Sequence, residues 1–325
     1  MIMKVFITRV IPEAGRRLLL DAGMTLTEWK EKRSLTAEEL IEQCKEHDAL
    51  LSASTTINAE MLEACTNLKA IALMSVGFDN VDLDAATKAG IPVSNTPGVL
   101  SGATADTAFL LMLATSRKAF YQHKKIAKGE WGFFEPTADL GIELNGATLG
   151  VFGLGNIGIE MARKCMGAYG MKVIYHNRNR NWEAEQKLNA HYVSFEELLA
   201  QSDVLSVHTA LTPETKGKFD RAAFQQMKDT AIFVNTARGG IHNEPDLINA
   251  LKDGLIWGAG LDVTNPEPMD ANNELLDLPN VCVLPHIGSA TVQTRDAMAQ
   301  LAAKNILAGL AGKELPNIIN PEVYS

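Results

Sequence analysis

TLGVFGLGNIGIEMARKCMGAYGMKVIYHNRNRN, residues 148–181, is the stretch on which the fold turns. A β-prone run enters three glycines, a helix-forming segment follows, and a second β-prone run ends at His176. Gly153, Gly155 and Gly158 spell GxGxxG where strand passes into helix. The first glycine permits a tight turn, the second lets a pyrophosphate approach the backbone, and the third lets helix and strand pack closely. The helix start adds unpaired N–H groups and its dipole, so Gly153, Leu154, Gly155, Asn156, Ile157 and Gly158 form a candidate dinucleotide cradle. A glycine turn serving packing alone is the alternative.

The end of the stretch is unusual. A carboxylate about 20 residues past the glycines would hold a ribose 2′-OH, yet Asn177 and Arg178 stand there, followed by Asn179 and Arg180. A carboxylate repels a 2′-phosphate, whereas a guanidinium can grip one bidentately. The next acid, Glu183, falls in the following loop or helix. This favours NADP(H), with NAD(H) possible, against the plainer reading of Arg178 and Arg180 as a solvated turn.

Working outward, β-like runs near residues 4–8, 25–29, 49–53, 70–74 and 92–94 alternate with helical patterns such as 37–46 and 59–64. The alternation restarts at Ala147 and continues through runs near 173–176, 204–208, 231–235, 257–261 and 281–284. Strand and helix alternating at this spacing predict an α/β fold, a parallel sheet with helices on both faces. Two segments interrupt it. SGATADTAFLLMLATSR (101–117) predicts a helix apolar on most sides, buried between domains or subunits. GEWGFFEPTADLGIELNG (129–146) predicts a long loop, functional or an interaction arm. A last helix is expected at 291–310.

Composition narrows the class. The 325 residues, 46% hydrophobic and 21% charged, suit a soluble two-domain protein. A formal charge of −9 without a basic stripe argues against a nucleic-acid partner. No apolar run reaches the roughly 20 residues that span a bilayer. MIMKVFITRV reads as a first strand and not as a secretory leader. Cys44, Cys65, Cys165 and Cys282 form no CxxC and read as buried, reduced thiols, so a cytoplasmic location is expected.

Three further stretches lie at predicted strand ends: NTARGG (235–240), GLDVTNPEP (260–268) and LPHIGSAT (284–291). Ligands of doubly wound sheets bind there. Each stretch offers one useful side chain: Arg238, Glu267 and His286. Reduction of a 2-oxo acid needs a cation for the carboxylate, an acid for the nascent alkoxide and a group that tunes that acid, which these three supply. Singly, each has a structural explanation: an ion pair, a solvated turn, a packed histidine. Their joint occurrence behind a nucleotide loop favours catalysis.

With MSVGFDNVDLDAA (74–86), NTPGVL (95–100), GLGNIG (153–158) and LTPETKG (211–217) added to these three stretches, the whole chain resembles the D-isomer-specific 2-hydroxyacid dehydrogenases, within them the glyoxylate/hydroxypyruvate reductases. The resemblance implies two doubly wound parallel-sheet domains of Rossmann or flavodoxin type with a cleft between them. Residues 1–100 and 289–325 would form the substrate-binding domain, and 101–288 the NAD(P)-binding domain. An arm near 118–146, carrying Trp131, Phe133 and Phe134, would pair two copies as a homodimer, although packing on its own subunit is the alternative.

The resemblance also implies roles. Arg238 and the N–H groups of Ser75, Val76 and Gly77 would hold the substrate carboxylate. His286 would donate the proton, and Glu267 would orient the imidazole and favour its protonated form. Asp262 would meet the nicotinamide carboxamide. Thr104, Thr236, Ala237, Arg238, His286 and Gly288 would line the cofactor, and Asn177 to Asn179 its adenosine ribose. No metal is expected. The substrate's variable end would face Ser52, Ala53, Ser54 and Thr55, whose small or hydroxyl-bearing side chains suggest room for hydroxypyruvate besides glyoxylate. Reduction of 2-ketogluconate or of another 2-oxo acid is the nearest rival. A dinucleotide-sensing corepressor shares the scaffold, but long disordered flanks would accompany it, and this chain runs from its first strand to shortly past its last helix.

Overall fold

The computed structural model describes residues 2–325. The chain forms two compact units: the segment up to Leu100 together with Ser289–Ser325, and Ser101–Gly288.

In chain order the first unit begins β1 (Lys4–Ile7), α1 (Glu13–Asp21), β2 (Thr25–Glu28), α2 (Ala37–Lys45) and β3 (Ala49–Ser52). It continues with α3 (Ala59–Ala64), β4 (Ala70–Leu73), α4 (Leu83–Lys88) and β5 (Val93–Ser94). The strands make a parallel sheet in the order β2-β1-β3-β4-β5. Every residue of ALLS in β3 and AIAL in β4 is buried, as expected of central strands covered on both faces, while the edge strand β2 is partly exposed. The start of α2 is set by a reciprocal capping box between Thr36 and Glu39.

The second unit starts with α5 (Ser101–Ser116) and α6 (Ala119–Ala127), then β6 (Thr148–Phe152), α7 (Asn156–Tyr169), β7 (Lys172–His176), α8 (Trp182–Leu188) and β8 (His191–Tyr192). Next come α9 (Phe195–Gln201), β9 (Val204–Val207), α10 (Arg221–Gln226), β10 (Ile232–Asn235), α11 (Glu244–Lys252), β11 (Gly258–Leu261) and β12 (Val281–Val283). The seven-stranded sheet is parallel throughout, in the order β12-β11-β10-β9-β6-β7-β8. Period-two alternation divides its core: Ile232 and Val234 join one hydrophobic cluster, and Phe233 between them joins another. The strand order reverses between β6 and β9, the switch point at which ligands of such sheets bind.

The apolar helix of residues 101–117 has its burial explained inside the second unit. α5 packs on α7, β10 and β11, with Thr115 Oγ1 donating to Ala259 O at 3.2 Å. A β-carbon at Gly260 would come within 2.8 Å of Leu111 Cβ, so the glycine admits the helix. The last helix, α12 (Val292–Leu310), returns to the first unit and packs on α1, β3 and β4. Close approach there also depends on glycine, since a β-carbon at Gly15 would lie 2.7 Å from Ala299. Among the described residues no helix is long and apolar enough to cross a membrane.

Candidate functional site

The three loop glycines at the end of β6 have different physical reasons. Gly153 has φ +103°, and a β-carbon on it would lie 2.7 Å from the His208 carbonyl carbon at the end of β9. A β-carbon on Gly158 would meet Gly153 O at 2.5 Å and Val151 Cγ1 at 2.9 Å, so only glycine lets α7 approach β6. Gly155 faces open space and is the N-cap of α7, with no side chain capping that helix. A bare helix start behind two glycines, with the intervening Leu154 side chain turned into the core, fits a diphosphate. The hydroxyl of Thr236, buried just past β10 with no partner, is a second sign that the carboxyl end of this sheet receives a polar group. The chain's residues therefore fit a dinucleotide.

In the segment after β7, expected to meet the ribose, some side chains are engaged within the protein. Asn177 Oδ1 accepts from Leu154 N at 2.6 Å, so its oxygen serves the glycine loop. Arg178 and Asn179 are exposed. Arg180 is committed: Nε and Nη2 reach the two Glu185 oxygens at 3.0 and 2.7 Å, and the guanidinium stacks 3.8 Å from the Trp182 ring centre.

The catalytic candidates follow three neighbouring strands, β10, β11 and β12. Past β10, Asn235 organises the turn: Oδ1 accepts from Ala237 N at 2.9 Å and Nδ2 donates to Arg238 O at 2.9 Å. Arg238 Nη1 donates to Ala237 O at 2.8 Å. A β-carbon on Gly239 would fall 1.9 Å from Thr264 O, so the arginine turn lies directly against the segment that leads to Glu267. Buried Glu244 braces that segment, accepting from Asn265 N at 2.9 Å and Asn273 Nδ2 at 2.7 Å.

Past β12, His286 adopts the left-handed φ of +53°, and its N–H donates to Asp262 O at 3.0 Å. Its Nδ1 lies 2.5 Å from Glu267 Oε1, and both side chains are a little under half exposed, at 46% and 41%. With Nδ1 given to Glu267, Nε2 is the ring nitrogen turned to other partners. Burial alone would raise the Glu267 carboxyl; the hydrogen bond and charge of His286, with Arg238 contributing, outweigh it and hold the group below its ordinary value.

Asp262 is buried, and its two oxygens accept from Ile287 N at 2.8 Å and Gly288 N at 2.7 Å. That bidentate grip fixes the turn behind His286, a role the expected carboxamide contact did not include. Burial pushes its carboxyl up, against the pull of those two N–H groups. A β-carbon on Gly288 would touch Asp262 Oδ2 at 3.0 Å and Thr104 Cγ2 at 3.3 Å, so Thr104, Asp262 and Gly288 are neighbours.

The second unit thus gathers Arg238, Glu267, His286, Asp262, Thr104 and Gly288. The substrate-contact candidates Ser52, Ala53, Ser75, Val76 and Gly77 belong to the first unit, at the end of β3 and past β4. Ser52 is buried, and Ser75 Oγ donates to Gly77 O at 2.7 Å. The carbonyls of Ser75 and Val76 accept from Thr96 N and Asn95 Nδ2, each at 2.8 Å, which fixes that turn. Sequence reasoning missed Asn235 and Glu244. The signal for Asn235 was its place, the last residue of a strand immediately before the Arg238 turn; Glu244, 23 residues before Glu267 in the chain, offered none.

The family model for the D-isomer specific 2-hydroxyacid dehydrogenase NAD binding domain matches residues 109–288. A glyoxylate reductase of Thermococcus litoralis is 45% identical, over 99% of this chain and 98% of its own. The crystal structure of a glyoxylate reductase from Paecilomyes thermophila superposes with TM-score 0.87 at 36% identity, covering 98% of both chains. An NADPH-dependent glyoxylate/hydroxypyruvate reductase from Sinorhizobium meliloti, solved with NADP and malonate, gives TM-score 0.86 at 29% identity, over 99% of this chain and 97% of that one.

Proposed function

The chain belongs to the D-isomer-specific 2-hydroxyacid dehydrogenases and is an NAD(P)-dependent dehydrogenase; from that premise we propose that it reduces glyoxylate and hydroxypyruvate, to glycolate and D-glycerate, with NADPH preferred. The observation that carries the reading is the His286–Glu267 pair standing beside the braced Arg238 turn. The reduced nicotinamide, when bound, supplies the hydride. Gly153 to Gly158 and the α7 start hold the diphosphate, Thr236 offers its unpartnered hydroxyl, and exposed Arg178 meets the 2′-phosphate.

His286 holds a proton at Nε2 and delivers it to the oxygen that becomes the alcohol. Glu267 keeps the ring oriented and offsets the imidazolium charge before transfer. Arg238 holds the substrate carboxylate and draws electron density from the adjacent carbonyl. Ser52, Ala53 and the Ser75, Val76 and Gly77 turn are proposed substrate contacts. A second copy of the chain is proposed to cover Trp131, Phe133 and Phe134, exposed at 71%, 79% and 76%.

Initial rates for glyoxylate, hydroxypyruvate, 2-ketogluconate and pyruvate, each with NADPH and NADH, test the proposal. Glyoxylate and hydroxypyruvate with NADPH are expected to give the highest kcat/KM. A clear preference for pyruvate, or for NADH, overturns the corresponding half.

A further inference from the structure

Leu154, between the first two glycines of the loop, is gripped on both of its backbone polar groups by the segment after β7. Its N–H donates to Asn177 Oδ1 at 2.6 Å, and its carbonyl accepts from Asn181 Nδ2 at 2.9 Å. Asn181 also caps α8, its Oδ1 accepting from Ala184 N at 3.1 Å, while its own N–H donates to the Tyr175 hydroxyl at 2.9 Å. That hydroxyl donates to Glu185 Oε1 at 2.5 Å, the carboxylate that Arg180 holds. Two asparagines four residues apart thus tie the glycine loop to a turn braced from behind by Tyr175, Glu185 and Arg180.

We propose that Asn177 and Asn181 are positioning residues: they clamp the Leu154 backbone and so pre-set the glycine loop for a diphosphate, whichever nicotinamide dinucleotide carries it. The proposal rests on reading that loop as the cofactor's anion site. A loop whose N–H groups must converge on an anion loses affinity if it has to be ordered at the moment of binding, and the clamp supplies that order beforehand. The chemistry explains why the residues are amides. Position 181 must accept from a helix N–H and donate to a carbonyl at once; aspartate can only accept, and serine is too short to do both. Position 177 uses only its acceptor, so the clamp would tolerate aspartate there. The segment therefore divides its labour: Asn177 and Asn181 serve the loop, Arg180 serves the turn, and Arg178 and Asn179 remain exposed to a ligand.

Asn181→Ser tests this, because serine keeps the α8 cap and removes the donor to Leu154 without adding charge. The readouts are the dissociation constants of NADH and NADPH measured by fluorescence without substrate, and amide hydrogen exchange at residues 153–158 in the cofactor-free protein. Both dissociation constants are expected to rise by one common factor of about five to ten, with faster exchange and an unchanged melting temperature. Asn177→Ala, which touches no cap, is expected to do the same, and Asn177→Asp to retain slow exchange. Wild-type affinity in both Asn181→Ser and Asn177→Ala, or a loss confined to NADPH, overturns the clamp. Slow exchange in Asn181→Ser overturns it equally. Failure of the wild-type protein to bind either nucleotide would instead sink the reading of the loop, and the exchange measurement still decides whether the clamp exists.

Discussion

Asn235 Nδ2 lies 3.0 Å from His242 Nδ1 and 2.9 Å from the Arg238 carbonyl, so one amide joins a buried imidazole to the arginine turn. Because Asn235 donates, His242 Nδ1 must be bare and the ring neutral. Burial pushes His242 down to about 4, and His208, at the end of β9, down to about 3. Both titrate near 6.5 in an unfolded chain. The folded values are the lower ones, so the unfolded state binds more protons between them. The stability they contribute is complete above pH 6.5 and falls as the pH drops towards the folded values. At pH 5 each costs up to about 2 kcal/mol. Urea unfolding at pH 7 and pH 5 should show the loss, and His242→Asn, which keeps an acceptor for Asn235, should remove its share. An unaltered difference in that variant excludes His242 as a source.

The proton-donor reading makes two variants differ in kind. His286→Ala should lower kcat by about 10² to 10⁴ while leaving the cofactor dissociation constant unchanged. Glu267→Gln keeps an acceptor for the ring but removes the charge, and a loss of about tenfold to a hundredfold in kcat is expected. The Glu267 carboxyl is held low in the folded protein, so its stabilising share is present above the ordinary carboxylate range and disappears as the pH falls through the folded value. Glu267→Gln should therefore be less stable than wild type at pH 7 and equal to it in strong acid. Loss of cofactor binding in His286→Ala would place the histidine in the cradle instead of at the carbonyl oxygen.

What was legible in the sequence was whatever repeats locally. Fully buried strands such as ALLS and AIAL announce themselves as apolar runs, and GxGxxG names its own turn. The expected strands at residues 4–8 and 204–208 end one residue earlier, at Ile7 and Val207. What stayed hidden depends on partners distant in sequence. α6 lies inside the segment expected to be an arm, yet it packs on β12, and Lys124 Nζ donates to Leu276 O at 2.6 Å. β8 has only two residues and exists because Ile174 and Tyr175 pair with it. Arg180 looks as available as Arg178 until Glu185 and Trp182 are seen to hold it. Asp262 illustrates the limit best: nothing local shows that its two oxygens fix the turn 25 residues later.

The glycines of the nucleotide loop should fail in different ways. Alanine at Gly158 places a β-carbon 2.5 Å from a backbone oxygen that cannot yield, so a destabilisation of about 1–3 kcal/mol is expected. Alanine at Gly155 meets nothing in the chain and should leave unfolding unchanged, while its methyl group stands where the diphosphate would approach. Thermal unfolding combined with nucleotide titration separates the two. A Gly155→Ala protein that binds cofactor normally would remove Gly155 from the cradle.

If a second copy covers the arm, charge on it should separate the copies. Trp131→Glu with Phe133→Glu substitutes residues that are already more than two-thirds exposed, so the fold should survive. Sedimentation velocity is expected to show a dimer for wild type and a monomer for the variant. A wild-type monomer at micromolar concentration would leave those rings without their proposed partner.

The two arginines after β7 lead to opposite predictions, and together they decide what the missing acid means. Arg178 is exposed, and its charge is felt by Glu214, which the Thr212 hydrogen bond chiefly holds low. Arg178→Gln should therefore cost NADPH about tenfold or more in kcat/KM and leave NADH nearly unaffected, since only one of the two carries a 2′-phosphate. Arg180→Gln removes a carboxylate partner and a ring stack inside the turn, so it should lower the melting temperature and change both nucleotides alike. Asn177→Asp adds the acid back without disturbing the Leu154 N–H, and it should move the NADPH-to-NADH ratio in the same direction as Arg178→Gln. If that ratio moves with Arg180 and not with Arg178, the guanidinium that chooses the cofactor is the one the turn already holds, and the exposed arginine is solvent-facing decoration of the loop.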